Sequence, residues 1–168
     1  MSQELTAPAT GAYTTDGMPH GSTSITPHIV VEPAATAITF YREVLGARVL
    51  NITRFPGSDL VAHAELDFRS GRLTLSDPLE SYGLHATDQN RTTYSLALYV
   101  SDVDAVLKAA EAAGAQVREK AATFVSGDRF ASIIDPVGVR WSIMTRVEDL
   151  SPEESSRRVE QWSAQQAG

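Results

Sequence analysis

Ile25-Thr26-Pro27-His28-Ile29-Val30-Val31 is followed at once by Glu32-Pro33-Ala34-Ala35-Thr36-Ala37-Ile38-Thr39-Phe40-Tyr41-Arg42-Glu43-Val44-Leu45-Gly46-Ala47-Arg48-Val49, and this stretch decides the fold. The first seven residues read as an apolar strand. Ala34, Ile38, Tyr41 and Leu45 then recur at helical spacing, which keeps them on one face of a helix. Gly46 supplies the left-handed stop, and Ala47-Arg48-Val49 starts a new strand. The same order returns downstream. Tyr94–Val100 is a strand, Ser101 or Asp102 caps a helix, and Val103, Val106 or Leu107, and Ala110 form its stripe. Gly114 stops that helix and Ala115-Gln116-Val117 follows, so the glycine-alanine-x-valine signal recurs at an offset of 68 residues, from Gly46 to Gly114.

Working outward, each helix is followed by alternating segments punctuated by turns. The first set is Arg48–Phe55, a turn at Pro56-Gly57-Ser58-Asp59, Leu60–Phe68, a turn at Ser70-Gly71, and Arg72–Ser76. The second is Val117–Phe124, a turn at Ser126-Gly127-Asp128, Phe130–Ile134, a turn at Asp135-Pro136-Val137-Gly138, and Val139–Thr145. The expectation is an α+β fold: two βαβββ repeats forming curved mixed sheets around a cavity, with the helices on the outer face. Repeat one spans 24–80 and repeat two 94–146, within one domain of 24–146. Residues 1–23, rich in Ala, Thr, Gly, Ser and Pro, read as a disordered or loosely draped arm. Residues 147–168 form a linker and a polar helix. Ser151, Pro152 and Glu154 make its capping box, and Val159 and Trp162 are its apolar anchors.

Composition narrows the function classes. The chain has 168 residues, 14 basic and 21 acidic, for a formal charge of −7. An acidic surface repels phosphate backbones and anionic lipid, so neither nucleic acid nor membrane is an expected partner. There is no cysteine, which removes thiolate nucleophiles, disulfides and Cys-based zinc sites together. With no apolar stretch of spanning length and no secretory signal pattern, the expected location is the cytoplasm.

Strand alternation assigns faces. Ile29 and Val31 oppose Thr26, His28 and Val30. Leu60, Ala62, Ala64, Leu66 and Phe68 oppose Val61, His63, Glu65 and Asp67. Leu73 and Leu75 oppose Thr74 and Ser76. In the second repeat Leu96, Leu98 and Val100 oppose Ser95, Ala97 and Tyr99, and Trp141 and Ile143 oppose Arg140, Ser142 and Met144. The apolar sets belong under the helices. The mixed sets face either solvent or a cavity, and their Ser, Thr, Met, Tyr and single His residues suit a pocket lining. His63, Glu65 and Asp67 share one face with His28. They form an acid/base cluster, an off-pattern metal site, or a polar cavity wall or subunit interface. Tyr99 and Phe130 could stack on a flat ligand or simply pack, and Ser132 lies two residues along from Phe130. Arg129 is either a structural ion-pair residue or a fork for an anion. Trp141 reads as core, the Asp135-Pro136-Val137-Gly138 turn as geometry rather than chemistry, and Asp77–Arg91 as a linker or a flap, with His85 exposed.

Taken together, Ile25–Val31 with Ala37-Ile38-Thr39-Phe40-Tyr41 and Leu45-Gly46-Ala47 resembles the opening of the glyoxalase/bleomycin-resistance/extradiol-dioxygenase (vicinal oxygen chelate) superfamily. His63-Ala64-Glu65-Leu66, Ser101–Val106, Gly127-Asp128-Arg129-Phe130, Asp135–Trp141 and Glu148–Glu154 resemble its glyoxalase-like branch. The resemblance covers Ser24 to Glu154. It implies a metal held by one residue on the first and one on the last strand of each repeat, usually His or Glu. Those positions fall here on Thr26 (or His28), Thr74, Ser95 and Ser142. Hydroxyl oxygens are poor ligands for zinc, iron or nickel, so neither a metal nor another cofactor is expected.

The leading expectation is therefore a metal-independent binder of small molecules, antibiotic- or metabolite-like, with cavities completed in a homodimer. His28, His63, Glu65, Thr74, Ser95, Tyr99, Phe130, Ser132 and Ser142 are its expected ligand contacts. The alternative is a lyase, isomerase, epimerase or dioxygenase-like enzyme using His28 or His63 as base and Glu65 as partner. A purely structural or interaction protein is the third reading.

Overall fold

The computed structural model describes residues 7–86, 88 and 93–166. Ten strands and three helices follow in order: β1 (Thr14–Thr15), β2 (Met18–Pro19), β3 (His28–Val30), α1 (Ala34–Glu43), β4 (Arg48–Arg54), β5 (Val61–Asp67), β6 (Arg72–Ser76), β7 (Leu96–Tyr99), α2 (Val103–Ala112), β8 (Gln116–Thr123), β9 (Asp128–Ile134), β10 (Arg140–Arg146) and α3 (Pro152–Gln166). Two four-stranded sheets carry the repeat. Unit one is ordered β3-β6-β5-β4 and unit two β7-β10-β9-β8. In each, the first strand runs parallel to the last and the remaining pairs are antiparallel. The sheets stay separate and do not close on one another. Gly46 and Gly114 both have positive φ, 73° and 93°, so each helix stops where only glycine turns left without strain.

The helices lie on the apolar faces as alternation requires. Ile29, Val31, Ala64, Leu66, Leu73, Leu75, Ala131, Ile133, Trp141 and Ile143 are buried in one continuous core with Ala34, Ile38, Tyr41, Val103, Leu107 and Ala110. At one end of β5 the alternation breaks. Val61 is fully buried while Leu60, assigned to the core from alternation, is 50% exposed. The β4–β5 register explains it: Thr53 faces His63 and Arg54 faces Val61, so Ala62 is the extra residue of a bulge and the side chains before it change face.

Three regions differ in detail from the sequence expectation. Within the stretch expected to be a loose arm, β1 and β2 form a small antiparallel hairpin; residues 1–6 lie outside those described. In the connecting stretch Asp77–Arg91, residues 80–82 make a short 3-10 turn and Leu79 bridges Leu84, while residues 87 and 89–91 lie outside the described residues. At α3 the Ser151 hydroxyl accepts from the Glu154 amide at 3.2 Å. The Glu154 carboxylate does not return the bond but turns to Arg157 and Arg158, which pull it down to about 2. Trp162 rests edge-on against Phe124, centroids 5.0 Å apart.

The two units are joined through a carboxylate. Asp135, in the turn read as geometry, is 4% exposed and accepts from Tyr41 Oη of α1 at 2.7 Å and Trp141 Nε1 at 3.1 Å. It also accepts from the amides of Val137 and Val139 at 3.0 and 2.8 Å. Burial raises its pKa, and these four donors oppose that rise. The Tyr41 phenol is pushed well above its usual value, by burial first and then by the Asp135 charge.

Candidate functional site

The strand ladders place the mixed-face residues in matching rows. Across unit one the register reads His28–Thr74–Glu65–Asn51. Across unit two it reads Ala97–Ser142–Ser132–Glu119. These rows are equivalent by construction. His28 and Ala97 precede the first helical residues, Ala34 and Val103, by the same interval, and Asn51 and Glu119 follow Gly46 and Gly114 by the same interval. The next row holds Val30–Ser76, with His63 opposite Thr53, in unit one, and Tyr99–Met144–Phe130–Ala122 in unit two.

In unit one the row is polar and largely self-satisfied. His28 Nδ1 lies 2.9 Å from Thr74 Oγ1, and Nε2 lies 3.2 Å from Ser76 Oγ. The Thr74 hydroxyl also donates to the Pro27 carbonyl at 3.3 Å, and a carbonyl can only accept. The chain of donors then assigns the tautomer: Nδ1–H donates to Thr74, and Nε2 accepts from the Ser76 hydroxyl. Both nitrogens of His28 are engaged with the ring neutral. The His63 ring stacks on it, centroids 6.0 Å apart and planes 5° from parallel. Burial first, and the His63 charge second, lower the His28 pKa.

Glu65 does not meet either imidazole. It forms an ion pair with Arg72 of β6, so the carboxylate expected to partner a catalytic histidine is held elsewhere. Asp67 likewise pairs with Arg48 at 2.7 Å, which holds its carboxyl below the ordinary range. Sequence reasoning missed Arg72 because its contact is diagonal across β5 and β6 and depends on the register.

Unit two presents hydroxyls and aromatic surface instead. Ser132 is 1% exposed because Arg140 crosses it, donating from Nε to Ser132 Oγ at 3.2 Å and pairing with Glu119 at 3.2 Å. Ser142 sits between Ser132 and Ala97. Ser95 lies just before β7 and is exposed, so the residue opposite Ser142 is Ala97. Tyr99 is 57% exposed and donates to Asp128 Oδ1 at 3.3 Å, over the row that holds Met144 and Phe130. Arg129 makes a bidentate pair with Asp104 of α2, both contacts 2.7 Å, and is structural.

The two mixed faces border different clefts. One of about 370 Å³ lies against His28 and Val30 and is bounded by His85, Asp88 and Tyr94. Another of about 410 Å³ runs between the units beside Ala97 and Tyr99. The superfamily resemblance places a metal at Thr26 or His28, Thr74, Ser95 and Ser142, while the ladders pair His28 with Thr74 and Ala97 with Ser142. Either set offers at most one imidazole among hydroxyls and a methyl, which does not fit a divalent transition metal that requires several imidazole or carboxylate donors. Among the described residues no three His, Cys, Asp or Glu side chains converge on a point that could hold an ion.

Similarity to known proteins agrees with this architecture. Over 136 residues the chain is 32% identical to the uncharacterized protein Mb0911c of Mycobacterium bovis, covering 78% of this chain and 88% of that protein. The fold superposes on protein PA1353 of Pseudomonas aeruginosa with a TM-score of 0.60 at 20% identity, over 74% of this chain and 98% of that one. A glyoxalase family protein of Bacillus cereus gives a TM-score of 0.59 at 19% identity, over 73% and 93%. Residues 22–143, the span of both repeats, match the Glyoxalase/Bleomycin resistance protein/Dioxygenase superfamily, and the chain belongs to that superfamily.

Proposed function

We propose that this protein binds a small antibiotic- or metabolite-like molecule with its side chains alone, without a resident metal, and that it does so in the cytoplasm as a homodimer. The observation that supports the reading is the row register: His28 pairs with Thr74 and Ala97 with Ser142, so the row that crosses both sheets carries one imidazole, hydroxyls and a methyl where a metal site would need several strong donors. What replaces the metal is a recognition surface in two parts. Unit one offers the stacked imidazoles of His28 and His63 with the Thr74 hydroxyl, and unit two offers Tyr99, Phe130 and Ser142. Aromatic area with a few directed polar groups is the composition of small-molecule sites. Both faces are open in the single chain, and a second copy would cover them.

Metal analysis with native mass spectrometry of purified protein, followed by isothermal titration against aromatic and peptide-like antibiotics, tests the proposal. Dimers without bound metal, and saturable binding that persists in EDTA, are expected. A stoichiometric metal ion, or no binding across the panel, would sink it.

One feature favours the lyase, isomerase or epimerase reading. His63, unlike His28, has no hydrogen-bond partner for its ring nitrogens among the described residues, which leaves an imidazole able to move a proton. If turnover of any substrate is found, H63Q should abolish it while H28Q mainly raises KM.

A further inference from the structure

We propose that the groove between the two units, which shares Tyr99 with the unit-two recognition surface but reaches neither His28 nor His63, binds a flat apolar molecule bearing one carboxylate, taken up by Arg72. The groove encloses about 410 Å³, within the range of small-ligand sites. Its walls are apolar: Ile25 and Leu73 from unit one face Leu98 from unit two. Its end is aromatic, with Phe68 and Trp141 centroids 5.9 Å apart and their planes tilted 40°. The Trp141 indole is fixed there by its bond to Asp135. Apolar walls with an aromatic end match a fused ring system in chemistry.

Charge selects the rest of the ligand. Of the described residues lining the groove, Arg72 alone carries a charge. Its Nη1 binds Glu65, and Asp67 stands opposite it in the β5–β6 register and feels its charge; neither lines the groove, and a guanidinium has five N–H donors, so donors remain for a further oxygen. An incoming carboxylate would share the guanidinium with Glu65 or displace it. In a chain of formal charge −7 an anion has no general attraction to the surface, so its binding depends on this one cation. The apolar residues bordering the groove that remain in contact with water, Ile25 at 83% and Tyr99 exposed, are area that such a ligand would cover.

Of the two tryptophans, Trp141 lines the groove and Trp162 is on α3, so W162F leaves a single tryptophan, excited selectively at the red edge of its absorption, to report on this site. In that background 2-naphthoate is titrated against 2-naphthylmethanol, which has the same ring system without the charge. The expected results are saturable quenching by naphthoate, at least tenfold weaker binding in R72Q, partial recovery in R72K, and several-fold tighter binding in E65Q. Tightening in E65Q cannot arise from misfolding, which keeps the test decisive if R72Q is unstable. Equal affinity for the two probes, indifference to R72Q, or weaker binding in E65Q would each overturn the proposal.

Discussion

Unit one and unit two share a backbone plan but solve the same local problem with different chemistry. Each has a strand that must deliver a hydrogen-bond acceptor to the first turn of its helix, whose leading amides lack partners. In unit two the helix is capped twice: Asp102 accepts from the Ala105 amide at 3.0 Å, and Thr145 of β10 accepts from Val103 at 2.9 Å. In unit one Pro33 provides no side-chain cap. Asp77, at the position equivalent to Thr145, accepts from Ala34 at 2.9 Å and from Val61 of β5 at 2.7 Å while buried. A hydroxyl is enough where a local cap shares the task, and a carboxylate is used where one group must hold a helix and a bulged strand together.

The mixed faces diverge in the same way: unit one carries the stacked imidazoles of His28 and His63, and unit two carries the rings of Tyr99 and Phe130. A site assembled from both halves would be asymmetric, polar on one wall and flat and apolar on the other. That asymmetry is what a ligand larger than a metal ion would read.

Four measurements would break or sharpen this contrast, taken from the largest effect. Asp77→Ala strands two buried amides, and urea denaturation should show a loss of about 3 kcal/mol. Tyr41→Phe removes one donor from the buried Asp135 and should lose about 2 kcal/mol, typical of a hydrogen bond to a charged group. Thr145→Val, opposite Asp77 in the comparison, should lose only about 1 kcal/mol because Asp102 still caps α2. If Asp77→Ala and Thr145→Val turn out equally damaging, the proposed division of labour is wrong.

The smallest effect is a change in pH dependence. His28 has a lowered pKa in the fold relative to its usual 6.5, so the unfolded chain takes up that proton first as pH falls. The stabilisation from neutral His28 is complete above that usual value and is lost on acidification through it and down to the lowered one. H28Q should therefore flatten the fall in stability between neutral and mildly acidic pH, measured by melting temperature across the range. An unchanged slope would remove His28 as its source.

Some of this was legible beforehand. The helix stripes, the glycine stops and the order of elements depend on neighbours within a few residues, so Ala34, Ile38 and Tyr41 with Gly46, and Val103, Leu107 and Ala110 with Gly114, announced both repeats. Alternation put Thr26 and His28, Thr74, and Ser142 on the mixed faces, but which of them stand in one row depends on strand register. The pairing of Glu65 with Arg72 rather than with an imidazole could not be read from alternation either, because a diagonal contact depends on how two strands are registered. That Ala97 rather than Ser95 lies opposite Ser142 has the same cause: a shift of two residues along a strand keeps the face but changes the neighbour.

The sequence by itself determined the order of elements, the presence of both helices and most of the apolar strand faces, since these follow from periodicity and from glycine's freedom at positive φ. Only the tertiary structure decided that a bulge at Ala62 turns Val61 inward. It alone decided that Asp77 and Asp135 are buried acceptors, and that His28 is saturated by hydroxyls while His63 is not. Those outcomes depend on distances between residues far apart in the chain, and no local pattern encodes a distance.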